Sequence, residues 1–329
     1  MSAALPVPSR ALVRRLGVAS LVANVMLVVT GGAVRLTDSG LGCPDWPRCT
    51  AGSFVVHDAM GIHGFIEFGN RLLTFVLTAV AILTWVAAMR YRPRRSSLRW
   101  LATVMLLGIP AQAVVGGVAV LTELNPWVVS LHLLASLAII CVCVAFLRRV
   151  DEGDEAPTPT VMPVVRGLGV ATFVVTWLVL YVGTVVTGSG PHAGDASSPR
   201  TGLDPESIAQ LHADLVCLLV GLTVGTWVAL RVSGAPERAL HAAALLLGIE
   251  VVQGAIGFLQ YFTGVPTLLV GLHMLGAALV AAGAAWLVVG MRDRGPVVEA
   301  AVVERALDPV PEPAFPVSDQ TQSAAPTHR

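Results

Sequence analysis

Eight stretches of this chain are apolar over more than twenty residues each, and this limits its folds more than any other feature. They run over residues 12–34, 60–89, 100–121, 126–147, 164–187, 206–230, 239–261 and 266–290. At a helical rise of 1.5 Å per residue, each is long enough to cross the roughly 30 Å of hydrocarbon in a bilayer. Backbone amides in that layer have no water to bond, so such segments must be helical. The rest of the composition agrees: 55% of residues are hydrophobic and only 13% charged, against about 25% charged in soluble domains. The expected fold is an all-α membrane protein whose eight transmembrane helices form two repeated four-helix bundles. The formal net charge is zero, so no basic field points to nucleic acid; membrane lipid is the expected surrounding.

Turn chemistry marks the helix starts. Pro126, Pro205 and Pro266 stand where helices open, a position that tolerates the missing N–H. Asn125 and Asp204 precede two of them as caps. The first apolar run has no small-residue cleavage site after it and reads as a retained helix. Arginine sets the orientation. Fifteen arginines (10, 14, 15, 90, 92, 94, 95, 99, 148, 149, 166, 231, 238, 292 and 294) fall on one side, and Arg35, Arg48 and Arg200 on the other. The positive-inside rule then places both termini in the cytoplasm of a multi-pass cell-membrane protein.

The two halves resemble each other. "LLGIPAQAVVGGVAVLTELNPWVVSLHLL" (106–134) lies over "LLGIEVVQGAIGFLQYFTGVPTLLVGLHML" (246–275). Gly108 pairs with Gly248, Gly117 with Gly257, Pro126 with Pro266, and, after one inserted residue, His132 with His273. "TDSG" (37–40) likewise faces "TGSG" (187–190). The chain divides into a cytoplasmic N-terminus (1–11), an N-terminal repeat (12–150), a linker (151–163), a C-terminal repeat (164–292) and a disordered cytoplasmic tail (293–329).

Four of the eight histidines, His63, His132, His212 and His273, lie within even-numbered apolar segments. The last three follow their helix-opening prolines by six or seven residues, about 10 Å in from the outer end. A lone intramembrane histidine is commonly an interhelical hydrogen bond. Three at one depth suggest a shared role, and neutral imidazole is a ligand for haem iron. His212 and His273 form a candidate bis-histidine haem site in the second half. In the first half His132 is one candidate iron ligand, and its partner is open. By depth Asn70 is the counterpart of His212, and His63 lies two turns further out. Glu67 sits between them, with Arg71 four residues on. That spacing suits an i, i+4 ion pair, while ionisable groups at membrane depth also mark functional sites. Glu250 and Asp214 are further acidic residues within spans, and Glu250 falls opposite Pro110 in the repeat.

These features resemble the haem A synthase family over most of residues 11–292. "GGAVRLTDSGLGCPDWPRC" (31–49) carries the strongest likeness, "IEFGNR" (66–71) is similar to the family's Glu-x-x-His-Arg motif, and His132, His212 and His273 match three of its four haem-related histidines. The resemblance implies oxidation of one methyl group of haem O to a formyl group, giving haem A. Two hydroxylations give a geminal diol that loses water. It further implies haem b in the C-terminal half, haem O as substrate in the N-terminal half, and catalytic roles for Glu67 and His132. His132, His212 and His273 are the implied iron ligands, with His63 and Asn70 on the substrate side. Haem O synthase and cytochrome oxidase assembly factors are the implied partners, and a homo-oligomer is left open. The chain departs from the family where Asn70 replaces a histidine, and its second outer loop, "TGSGPHAGDASSPR" (187–200), lacks the cysteine pair of some relatives. Cys43 and Cys49 lie in the outer loop, where disulfides persist; Pro-Asp-Trp-Pro between them can turn the chain so that they meet. Such a bridge fixes a lid over the substrate half, as a staple or as a thiol relay. The alternative function is a membrane di-haem b-type electron-transfer protein without substrate chemistry, which needs two complete bis-histidine sites. A transporter is a third class, favouring broken helices and a midplane site.

Overall fold

The computed structural model describes residues 7–297. It contains eight long helices: α1 (Arg10–Leu36), α2 (Gly61–Arg90), α3 (Ser96–Leu121), α4 (Pro126–Val150), α5 (Pro163–Ser189), α6 (Pro205–Val232), α7 (Glu237–Phe262) and α8 (Thr267–Gly290). All eight are long and apolar enough to cross a membrane. The expected segments agree with them to within four residues at each end. Polar residues in the capping turns account for most of the difference. Ser9 accepts from the Leu12 amide, Asn125 from Trp127 and Asp204 from Ser207. Pro266 serves as the residue before α8 rather than its first residue.

Helices α1 to α4 pack in a closed ring, each against its chain neighbours and α1 against α4; α5 to α8 do the same. The two sets meet along α1, α4, α5 and α8. Val28, Leu137, Ile140, Leu180, Ala278 and Ala281, drawn from those four helices, form one buried cluster at the seam. On α8 the small Ala278 and Ala281 let the larger aliphatic side chains of α1, α4 and α5 pack closely, where lipid supplies no hydrophobic drive between helices.

Corresponding polar contacts lock each set. Ser20 and Thr84 share a buried hydrogen bond at 2.9 Å between α1 and α2; Thr172 and Thr226 share one at 3.0 Å between α5 and α6. These pairs set α2 on α6 at a spacing of 142 residues, since Thr84 then falls on Thr226, and the same spacing puts Asn70 on His212.

One end of the helix assembly is a web of arginines and acids. Arg10 and Arg14 of α1 pair with Asp151. Arg148 and Arg149 of α4 pair with the fully buried Glu152, and Arg95 and Arg149 with Asp154. Arg95 also donates to the Glu152 carbonyl, and Arg238 pairs with Asp293. The linker is therefore a clamp rather than a loose connection. Its Thr158–Pro159 forms a short antiparallel ladder with Arg292–Asp293, and Gly153 donates to Gly295. Of the tail expected from residue 293, the part to 297 is described and begins in this ladder; the remainder lies outside the described residues.

Candidate functional site

Three histidine rings, each on an even-numbered helix, face glycines of neighbouring helices. A Cβ added at Gly116 of α3 would come within 3.1 Å of His132 Cε1, at Gly183 of α5 within 3.0 Å of His212 Cε1, and at Gly257 of α7 within 3.6 Å of His273 Cε1. At Gly116 and Gly183 a Cβ would crowd the ring, whereas at Gly257 it would make an ordinary contact. His132 and His273 are further fixed by matching glutamines: Gln112 Nε2 donates to the His132 carbonyl at 3.2 Å, and Gln253 Nε2 to the His273 carbonyl at 2.8 Å. Gln112 and Gln253, like Gly116 and Gly257, are 141 residues apart, the spacing of the histidines. The sequence pairing of Gly117 with Gly257 is thus one residue out at this level, because the inserted residue already shifts α7 against α3.

His212 and His273 approach with ring centroids 6.4 Å apart and planes at 73°. A metal bonded to one nitrogen of each ring needs about 2.0–2.1 Å per bond and roughly 1.1 Å from nitrogen to ring centre, or about 6.3 Å overall. The pair therefore has the separation that two axial ligands require. In all three histidines Nδ1 is buried without a hydrogen-bond partner, unusual for polar atoms in an apolar interior. Among the described residues there is no cluster of three or more His, Cys, Asp or Glu able to hold a metal ion by protein ligands alone. Two opposed imidazoles suit an iron whose other ligands come from a porphyrin.

The N-terminal half is built differently. Asn70, at the position of His212, accepts a hydrogen bond from Thr30 Oγ1 at 2.8 Å through its amide oxygen. Gly31 corresponds to Gly183 by the Ser20/Thr172 spacing, yet a Cβ there meets nothing within 4 Å. His63 is exposed, and its Nδ1 lies 3.0 Å from Ser39 Oγ rather than beside a second imidazole.

Cys43 and Cys49 are joined by a disulfide and are both buried. Their loop is held onto α2 by Glu67 and Arg71. Glu67 Oε2 accepts from the Cys43 amide at 2.6 Å, and Oε1 accepts from Arg71 Nη2 at 2.5 Å and Nε at 3.1 Å. Arg71 also donates to the carbonyls of Cys43, Asp45 and Arg48. From this loop Trp46 reaches α3, where its ring covers Gly117, the neighbour of the glycine that faces His132. Sequence reasoning missed Trp46, whose signal was the adjacent Gly116-Gly117 pair: one glycine accommodates the histidine, the other the indole.

The loop between α5 and α6 is a strap between the two halves. Arg35 at the end of α1 donates to the His192 and Thr187 carbonyls, the Gly40 amide donates to Gly194, and His192 Nε2 contacts the Val265 carbonyl. Hydrogen bonds from the Ser197 hydroxyl and amide hold the Asp195 carboxyl below the usual carboxylate range, with the nearby His63 a lesser cause. These polar contacts hold in place a loop that lacks cysteines.

Residues 14–199 match the cytochrome oxidase assembly protein family, COX15-CtaA. A haem A synthase from Symbiobacterium thermophilum is 29% identical over 279 residues, covering 76% of this chain and 88% of that protein. One from Listeria welshimeri is 26% identical over 264 residues, covering 76% and 86%, and one from Lysinibacillus sphaericus is 28% identical over 173 residues, covering 51% and 56%.

Proposed function

The chain belongs to the COX15-CtaA family of cytochrome oxidase assembly proteins, and from that membership we propose that it is a haem A synthase, oxidising a methyl group of haem O to a formyl group. One observation carries this reading: the two halves share a framework, but only one has an opposed pair of imidazoles. His212 and His273 stand 6.4 Å apart, whereas at the matching place in the first half Asn70 bonds Thr30. A carboxamide is a poor iron ligand. A complete pair suits a resident haem b, and a half with one strong ligand suits a haem that enters, reacts and leaves.

His212 and His273 hold haem b, which when bound supplies one-electron redox chemistry. His132 orients haem O in the first half through its iron, with Gln112 and Gly116 fixing the histidine. Asn70 leaves room above Gly31, and His63 lines the outer entrance. The disulfide loop covers this half, and Trp46 limits access of bulk water near His132. Glu67 is the carboxylate beside this site. Oxidation of a methyl carbon builds positive charge there and releases protons, and a fixed carboxylate stabilises the first and accepts the second, directly or through water. Two hydrogen bonds from Arg71 hold that carboxylate in place.

The arginine-rich end lies in the cytoplasm with both termini, and the disulfide loop faces outward across the cell membrane. The chain acts between the haem O synthase that supplies its substrate and the factors that assemble the oxidase. Extraction and chromatography of the haems bound to the purified protein test the proposal. Haem O or haem A beside haem B is the expected result; two equivalents of haem B alone would identify an electron carrier instead.

A further inference from the structure

Glu250 lies midway along α7 and has no acidic counterpart in the first half, where Ile109 and Pro110 stand at the matching level of α3. It is 3% exposed. One carboxyl oxygen accepts from Thr223 Oγ1 at 2.9 Å, and the other is buried without any partner. That second oxygen belongs to a group forming part of the wall of a cavity of about 370 Å³ between α6 and α7, otherwise lined by apolar side chains including Val216, Val220, Val251, Ala255 and Phe258. Val251 and Phe258 are exposed on the lipid-facing surface, so the cavity is reached from the bilayer rather than from water.

We infer that this α6–α7 cleft binds the head group of a lipid-soluble quinone, with a ring oxygen facing Glu250. The orphan oxygen demands a polar partner at mid-membrane depth, where an unpaired polar group is costly. Phospholipid chains carry no polar atom at that depth, and their head groups stay at the interface. A quinone brings a flat apolar ring, an isoprenoid tail for the lipid side and oxygens on the ring. A carboxyl group donates when protonated and accepts when ionised, so it suits both the carbonyl of the quinone and the hydroxyl of the quinol. The cleft is also close to the histidine pair. Val216 and Val220 follow His212 by four and eight residues on the same helix, about 6–12 Å along its axis. The inference rests on the proposed haem b only for electron exchange; binding is independent of it.

Photolabelling with a short-chain azidoquinone, on the haem-loaded full chain in lipid nanodiscs, tests the site. Label is expected on α6 and α7 peptides. Glu250→Leu removes the hydrogen bond and is expected to reduce labelling about tenfold or more, while Glu250→Gln, which can still bond, retains most of it. Gly254→Leu fills the cleft from a position where an added Cβ meets nothing within 4 Å and is expected to abolish labelling. An unchanged haem spectrum in each variant shows that the fold is intact. Equal labelling of the same peptides by an azido fatty acid, insensitive to Glu250→Leu, would overturn the inference in favour of ordinary lipid contact, as would quinone label mapped elsewhere. Addition of a quinol gives an independent reading: one quinol yields one quinone, two protons and two electrons, enough to reduce two ferric haems. Reduction in the unmodified chain, lost in Gly254→Leu, is expected; equal rates in both would overturn the inference. Neither readout requires haem A formation, so failure of the synthase proposal is seen separately.

Discussion

Glu67→Gln separates the two tasks that the structure gives one carboxylate. The native group accepts three hydrogen bonds, two from Arg71 and one from the Cys43 amide. An amide has one acceptor oxygen, so whichever way it turns, its NH2 meets a donor. The substitution therefore removes at least one charge-assisted bond, about 1.5–3 kcal/mol. Arg71 still has the Cys43, Asp45 and Arg48 carbonyls, and the disulfide keeps the loop closed. The expected structural effect is thus local: amide exchange of Cys43 rises about 10- to 150-fold, without loss of the fold. Because the loop contacts α2 and α3, the spectrum of haem b at His212 and His273 is expected to be unchanged. If the carboxylate also acts on the substrate, conversion of haem O falls by a further ~10²–10⁴-fold, and the alcohol intermediate accumulates. The assay is chromatography of extracted haems beside hydrogen exchange of the 43–49 loop. Wild-type haem A from Glu67→Gln would falsify the chemical role; loss of haem b would show that the ion pair supports the whole molecule.

Other perturbations address the remaining parts. His212→Ala or His273→Ala is expected to release haem b or convert it to high spin, and an unchanged optical spectrum in both would reject the ligand assignment. Gly183→Val, which places carbon against the His212 ring, is expected to lower haem b content, whereas Gly31→Val at the matching place in the first half leaves it unaltered; haem quantification decides. Arg149→Met leaves the buried Glu152 with Arg148 as its one arginine and removes the pair with Asp154, and thermal unfolding is expected to show a loss of about 1.5–3 kcal/mol; a shift under 1 kcal/mol would contradict the clamp. A cysteine introduced at residue 195 is expected to react with an impermeant reagent on intact cells and one at residue 96 is not; the reverse would invert the topology.

Hydropathy and arginine placement were enough to locate the helices, because a bilayer leaves the backbone one way to satisfy its amides over such lengths. The three histidines at one depth were legible for the same reason: prolines fix where helices begin, and rise per residue converts position into depth. The sequence also marked Glu67, Arg71 and the loop cysteines as partners, since i, i+4 spacing and a six-residue turn are local matters. What depended on lateral packing was out of reach. Which face of α3 meets α4 decides that Gly116 receives the His132 ring and Gly117 the Trp46 indole, and one inserted residue in the second half concealed the equivalence of Gln112 with Gln253. The acidic linker read as a connection because three of its arginine partners, Arg10, Arg14 and Arg95, are distant in sequence. The approach of His212 to His273 is likewise a distance between two helices, α6 and α8, which lie across the second ring and are each positioned by packing on α5 and α7; no periodicity along one stretch of sequence contains it.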